Sequence, residues 1–429
     1  MNVAAEPFSS ERESVFARRD FRLYFGAFFL AALAFGAQSV AVSWQIYDIA
    51  RDPLALGYAG LAQFVPMMLL SLPAGDFADR FNRRTILVCG FFVQSICSTL
   101  FLALTITKYH VLWPFYALLA MFGAARVFTN PAANSFLPLL VPQDQFPQAV
   151  AWVSSSRMTA SIAGPALGGA LYALGAGAVY AVCLAIFVSG AIAVAVIHTV
   201  STREPASEEI SSFERLTAGI SYVRAHPLIL GAISLDLFAV LLGGATALLP
   251  VYARDILHVG PGGLGLLRSA PGAGAAMLGI MLVRLPLKRR AGLTMFGCVA
   301  LFGVATIVFG LSRSFPLSLA ALFVLGASDM ISVYVRQTLI QLATPDSMRG
   351  RVSAVSFLFI GASNELGEFE SGLTASWFGT VPSVVLGGLG TLTVVALWAW
   401  MFPSLRKVSD ISAVTPEEAA GAATELSGK

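Results

Sequence analysis

Apolar residues in this chain come in long runs, not with the alternation of a half-buried strand or the narrow stripe of a surface helix. Twelve runs approach or exceed the roughly 20 residues that cross a bilayer as a helix. They cover 23–47, 55–77, 85–106, 112–135, 149–173, 178–198, 228–252, 262–284, 292–312, 316–341, 352–376 and 381–402. Short polar stretches holding Gly, Pro, Asp and Arg separate them. The pattern predicts an all-α membrane protein of twelve transmembrane helices. The longest polar stretch, about 200–226 (STREPASEEISSFERL…), falls between the sixth and seventh runs. It divides the chain into an N-terminal segment 1–22, a six-helix half 23–199, a linker 200–227, a second six-helix half 228–403 and a tail 404–429. Within the linker, Ser211 to Ala225 has the pattern of an amphipathic surface helix.

Composition agrees with lipid as the solvent. The 429 residues are 57% hydrophobic and 12% charged, with a mean hydropathy of +0.77, against about 25% charged residues in a soluble domain. The net charge of +3 gives no reason to expect a nucleic-acid partner. Cys89, Cys97, Cys183 and Cys298 all fall in predicted spans and read as small apolar side chains. Residues 1–22 are polar, lacking the apolar core and cleavage site of a signal peptide. The Ala/Glu/Ser-rich tail predicts disorder.

Loop charge tests the helix count. With both termini on one side, that side collects Arg80, Arg83, Arg84, Arg203, Arg215, Arg224, Lys288, Arg289, Arg290, Arg349 and Arg351. The opposite loops hold only Arg51, Lys108, Arg254 and Arg313. The positive-inside rule then places both termini in the cytoplasm. The halves also align as repeats. A slide of 203 positions lays Gly123-Ala124-Ala125-Arg126 on Gly326-Ala327-Ser328-Asp329 and Ala149-Val150 on Val352-Ser353. Position and element type persist, as in parallel repeats about an axis along the membrane normal.

The most specific motif joins spans two and three: Gly75-Asp76-Phe77-Ala78-Asp79-Arg80-Phe81-Asn82-Arg83-Arg84. It resembles the G-x-L-A-D-R-x-G-R-R loop of the major facilitator superfamily, and topology extends the resemblance over nearly the whole chain. The resemblance implies two pseudo-symmetric six-helix halves around a central cavity. It also implies a gate latch made by Gly75, Asp79, Arg80, Arg83 and Arg84. Gly75 is expected to allow close helix approach. Asn82 replaces the usual glycine and is expected to keep the turn by tolerating the left-handed conformation. In span five, Ala160-Ser161-Ile162-Ala163-Gly164-Pro165-Ala166-Leu167-Gly168-Gly169 resembles the G-x-x-x-G-P-x-x-G-G signature of the antiporter branches, with Ala160 at the first glycine. That likeness implies a kink at Gly164, Pro165, Gly168 and Gly169 that blocks proton leak. A small-residue packing face explains the same residues.

Ionisable residues at membrane depth are costly and normally face a bundle interior or a water-filled path. Arg126, Arg157, Asp236, Asp329, Arg336, Glu365 and Glu368 lie inside predicted spans. Glu365 and Glu368 are three apart and share a helix face, whereas Glu370 sits roughly 140° from Glu365. Removing a carboxylate from water favours its protonated form, the property proton coupling requires. Glu368, Glu365 and Asp236 rank first as coupling or substrate-binding candidates. Asp329 and Arg336 are further candidates for the same role, with a structural pair between the two as the alternative. Arg126 resembles the superfamily arginine linked to proton transfer. Arg157 resembles an arginine of the branch that includes siderophore (enterobactin-type) exporters and macrolide efflux pumps. Asp48 is a candidate for an outer gate. Phe64, Phe128, Phe238, Phe357 and Phe359 are candidates for cavity lining.

No Walker loop, HExxH, GxSxG or His/Cys cluster occurs in the sequence, so neither an enzyme nor a resident metal or cofactor is expected. The resemblance implies a proton-coupled exporter of small amphipathic compounds (a drug, a metabolite or a siderophore) in a bacterial inner membrane. Its partners are protons, lipid and the small-molecule substrate, and it is expected to act as a monomer. An uncoupled facilitator or importer on the same fold is the alternative.

Overall fold

The computed structural model describes residues 14–198, 212–285 and 290–409. The first half comprises α1 (Arg19–Ala50), α2 (Pro53–Arg80), α3 (Arg83–Ile106), α4 (Trp113–Leu140), α5 (Phe146–Tyr172) and α6 (Ala176–Ala195). A short helix α7 (Ser212–Ala225) follows at the predicted surface position. The second half comprises α8 (Pro227–Leu242), α9 (Leu249–Val251), α10 (Gly260–Arg284), α11 (Ala291–Leu311), α12 (Phe315–Ala343), α13 (Asp346–Phe378) and α14 (Thr380–Met401), and α15 (Pro403–Lys407) closes it. No strand occurs among the described residues.

Local chemistry sets the helix boundaries. Asp52 caps α2, its carboxylate accepting from Leu54 N at 2.9 Å, with Pro53 in the first turn where its missing N–H costs nothing. The predicted span 228–252 is not one helix. It breaks at Gly243-Gly244, then continues through a 3-10 turn Ala245–Leu248, α9 and a π turn Tyr252–Ile256. Two successive glycines weaken a helix, and their bare backbones admit neighbours. A Cβ on Gly244 would lie 2.7 Å from the carbonyl oxygen of Gly367 on α13. Thr391 of α14 donates to the Ala239 carbonyl near the break at 3.0 Å.

Among the described residues, order extends beyond the first and last predicted spans. A 3-10 turn Val15–Ala17 precedes α1, with Val15 fully buried. The first residues of the predicted disordered tail form α15, where Leu405 is buried and the Val408 carbonyl accepts from Gly292 N at 3.0 Å. Residues 1–13, 199–211 and 410–429 lie outside the described set, as do the loop cations Lys288 and Arg289.

In the first half α1 packs on α5 and α6, α3 on α4 and α6, and α2 on α4. The second half repeats this arrangement: α10 packs on α12, α11 on α12 and α14, and α8 on α13 and α14. Two seams join the halves, α2 with α13 and α5 with α10. The core is unequal at the two ends of the bundle. At the end where Asp48 lies, one buried apolar cluster runs from the first half into the second, from Tyr47 and Phe101 to Leu249, Leu322 and Val384. At the Arg80 end the second half keeps its own cluster around Ile229, Phe296 and Leu339. The molecule is therefore closed at the Asp48 end by continuous packing.

By length and apolarity alone, nine segments among the described residues qualify as membrane-spanning, counting Pro227–Ile256 as one. The three remaining crossings, α4, α5 and α13, fall short because polar residues interrupt them. They carry Arg126, Arg157 and the Glu365/Glu368 pair.

Candidate functional site

A cavity of about 230 Å³ lies between the halves, at the middle of the bundle. Helix α1 contributes Phe35, Gln38, Ser39 and Ser43, α2 contributes Gly60 and Gln63, and α4 contributes Leu119 and Phe122. The second half contributes Arg268 from α10 and Glu365 and Glu368 from α13. Spacing explains the pair of carboxylates. Three residues is close to one helical turn, so Glu365 and Glu368 project to one side, while Glu370 is not part of the lining.

Glu368 is seated by glycine. It packs so close to Gly60 across the α2–α13 seam that a Cβ on Gly60 would stand 2.9 Å from its Cβ and 3.0 Å from Oε2. Neither Glu365 nor Glu368 accepts a hydrogen bond or an ion pair from protein among the described residues. Arg268 donates once, from Nη1 to Ser39 Oγ at 3.0 Å. Arg268 and Glu368 attract each other through the cavity, as do Arg126 and Glu365, without forming an ion pair. Arg126 itself sits outside the lining, its guanidinium 3.7 Å above the Phe35 ring. The site is a chamber of mixed polar and apolar lining with charges of both signs on its walls, and among the described residues protein leaves hydrogen-bonding capacity open on each.

Asp236 is elsewhere. It is buried in the second half and pairs with Arg336, itself only 3% exposed. The alternative pairing of Asp329 with Arg336 does not form. Asp329 and Arg336 lie on the same helix seven residues apart, nearly two turns and beyond side-chain reach, whereas α8 brings Asp236 directly opposite. Asp329 has no ion-pair or hydrogen-bond partner among the described residues. Arg157 is exposed and donates to Asn134 Oδ1 on α4 at 3.2 Å, away from the cavity.

The signature Gly164, Pro165, Gly168, Gly169 lies at a three-helix contact. A Cβ at Gly168 would be 2.6 Å from the Ala37 carbonyl oxygen of α1, and one at Gly169 would be 2.6 Å from the Pro261 oxygen of α10. Ser269 of α10 donates to the Ile162 carbonyl of α5 at 2.6 Å. The small residues let α5 touch both α1 and the second half, and α5 runs as one helix through Pro165.

Two expectations for the gate loop are corrected. A Cβ at Gly75 would meet no described atom within 4 Å, so Gly75 makes no close helix approach in this conformation. Asn82 is not left-handed. It stands at φ −62°, ψ 116° and caps α3, Oδ1 accepting from Arg84 N at 3.0 Å. Capping is what asparagine does well, and it makes the turn independent of glycine. Asp79 and Arg80 end α2 and Arg83 and Arg84 begin α3; the Asp79 side chain is outside the described set. At the opposite end, Asp48 pairs with Arg254, and Tyr47 donates to the Asp255 carboxylate, both in the π turn. Arg254 also stands 5.5 Å from the Trp44 ring centroid. These contacts bind α1 to the second half.

Arg268 lines the cavity although it is not among the candidates expected from sequence. The signal that finds it is the one applied to Arg126: a lone arginine inside an apolar run, here Gly265-Leu266-Leu267-Arg268. The aromatic lining also differs from the expectation. Phe35 and Phe122 face the cavity. Phe238 packs on Trp398, Phe128 on Phe77, and Phe357 is 73% exposed. Neutral aromatic residues carry no sequence mark that separates cavity from core.

The family model for the Major Facilitator Superfamily matches residues 24–368. The enterobactin exporter EntS of Citrobacter koseri is 25% identical over 397 residues, spanning 90% of this chain and 92% of that protein. EntS of Shigella boydii serotype 18 is 24% identical over the same shares. Among solved structures, the nucleoside transporter NupG superposes with a TM-score of 0.71 at 11% identity, over 89% of this chain and 100% of its own. A bacterial homologue of the iron transporter ferroportin, in an inward-facing state, gives 0.67 at 17% identity, over 91% and 99%. At such identities these structures speak for the fold. The chain belongs to the major facilitator superfamily, and it is a transporter and not an enzyme.

Proposed function

We propose that this chain is a proton-coupled exporter of small amphipathic compounds, working by alternating access in a bacterial inner membrane with both termini cytoplasmic. The observation that carries the reading is the pair Glu365 and Glu368, open to a cavity between the halves and held by no protein donor. A carboxylate so placed either holds a proton or binds the basic group of a substrate, and the two compete. Protons taken from the outer side are released when substrate arrives from the inner side, so one moves in as the other moves out. Apolar walls from Phe35, Leu119 and Phe122 accept the hydrophobic part of the substrate. Likeness to enterobactin exporters over nine-tenths of the chain supports the outward direction.

Alternating access needs two ends that open in turn. In this state the Asp48 end is closed by packing and by the Asp48–Arg254 and Tyr47–Asp255 contacts. The loop with Asp79, Arg80, Arg83 and Arg84 is the latch of the opposite end, engaged when that end closes. Gly164, Pro165, Gly168 and Gly169 keep α5 in tight register with α1 and α10, which denies protons a path along the seam.

The test is substrate-induced proton flux in everted membrane vesicles with an acid interior, over a panel of drugs and siderophores. A compound class that dissipates the gradient only when this protein is present establishes coupled export and its substrate class. A labelled compound that equilibrates with no proton flux makes the protein a facilitator instead.

A further inference from the structure

The charges in the cavity are arranged by wall. Arg268 stands on α10, the helix that packs along α5, and Glu365 and Glu368 stand on α13, the helix that packs along α2. The cationic wall therefore belongs to one seam and the anionic wall to the other. Between them the first half supplies Phe35, Leu119 and Phe122 and the neutral polar groups of Gln38 and Gln63.

Arg268 and Glu368 attract each other across the cavity without forming an ion pair, and among the described residues protein fills few of the hydrogen bonds of the three charged groups. A guanidinium has five N–H donors, and among the described residues Arg268 uses one, to Ser39. The two carboxylates accept none from protein. Charged groups in a part-dry site are stabilised by a partner of opposite sign and destabilised without one. An anionic ligand would satisfy Arg268 but meet repulsion from the carboxylates. A cationic ligand would satisfy a carboxylate and leave Arg268 exposed to a second positive charge. Only a ligand bearing both charges completes both walls.

We infer that the cavity selects zwitterionic amphiphiles, Arg268 holding the acidic group of the ligand while Glu365 and Glu368 hold its basic group. Arg268 is then the residue that sets specificity. The volume of about 230 Å³ fits a compact ligand, being a little below the range of roughly 300–1,000 Å³ typical of drug-sized sites. The inference rests on the cavity being the substrate site of the proposed exporter, and equilibrium binding tests it without requiring transport or proton coupling.

Purified full-length protein in detergent is titrated calorimetrically with charge-matched series on two scaffolds, phenylalanine and norfloxacin. Each series contains the zwitterion, its methyl ester (cation only) and its N-acetyl derivative (anion only). On at least one scaffold the zwitterion is expected to bind about tenfold tighter than either single-charge form, the size of one charge-assisted contact. In Arg268→Gln the zwitterion-to-ester ratio falls to about one, and Arg268→Lys retains a preference. In Glu365→Gln/Glu368→Gln the zwitterion-to-N-acetyl ratio falls to about one. Ratios within one protein do not depend on how much of the sample is folded. Equal binding of zwitterion and ester by the native protein, no binding of either zwitterion, or an equal loss for all three ligands in Arg268→Gln overturns the inference. Failed proton flux with a preserved zwitterion preference overturns only the exporter reading.

Discussion

Two sets of carboxylate and arginine lie within the apolar helices, and they differ in closure. Asp236 and Arg336 meet directly between α8 and α12 in the second half, both less than a tenth exposed. Glu365, Glu368 and Arg268 face one another across a cavity and touch little else. The first set neutralises itself and is buried. The second set keeps its charges available. Both sets join carboxylate to arginine inside apolar helices, so a buried charge marks function only when the fold withholds its partner.

The strongest way to break this comparison is to remove one member of the closed pair. Arg336→Gln leaves Asp236 buried and unpaired and is expected to cost about 3–5 kcal/mol. Thermal unfolding in detergent reads the loss, and the doubly neutral Asp236→Asn/Arg336→Gln should recover a good part of it. Arg268→Gln under the same assay should change stability by less than about 1 kcal/mol, since its site is already open. Equal losses in the two arginine variants would mean that both sets are structural.

Next in size is the effect on coupling. Glu365→Gln and Glu368→Gln should each lower substrate-induced proton flux by at least about tenfold, the order expected for loss of a proton-transferring group, with unfolding midpoints close to the parent. Asp236→Asn should show the reverse pattern, a lower midpoint first. Coupled flux surviving in both glutamine variants would move the coupling site elsewhere, and Asp329, which has no partner among the described residues, is then the next candidate.

A smaller effect sharpens the geometry without altering charge. Gly60→Ala places a methyl group 2.9 Å from Glu368 Cβ. Displacing the carboxylate should weaken ligand binding several-fold while costing about 1–3 kcal/mol in packing. Ligand affinity indistinguishable from the parent would show that the position of Glu368 is not critical. The smallest effect belongs to the Asp48 end. Asp48 is 48% exposed in its ion pair with Arg254, and exposed pairs contribute up to about 1 kcal/mol. Asp48→Asn should therefore shift the balance between closed and open states of the Asp48 end by no more than about fivefold. Crosslinking yield between cysteines placed at the two sides of that seam measures it.

The helices were legible because the bilayer demands them. A chain that must satisfy its backbone inside hydrocarbon has few choices, so run length and loop charge placed every crossing close to where it lies. The exceptions are informative. The seventh span breaks at Gly243-Gly244, a local glycine pair, where α13 and α14 come close. The gate-loop turn survives loss of glycine through the cap made by Asn82, where a left-handed residue was expected. At the site, Glu365 and Glu368 were found because one helix presents both. Arg268, a lone arginine in an apolar run of α10, carries the same mark in the sequence as Arg126.

By itself the sequence determined the solvent of this protein, its helices, its pseudo-repeat and the residues too polar for lipid, because each of these follows from transfer energies along one segment. Pairing was decided by the tertiary structure alone. Whether Arg336 meets Asp329 or Asp236, whether Arg157 faces the cavity or Asn134, and whether Arg268 is matched or left open depend on distances between helices remote in the chain. Electrostatic attraction and desolvation both act over those distances, and no local pattern of residues contains them.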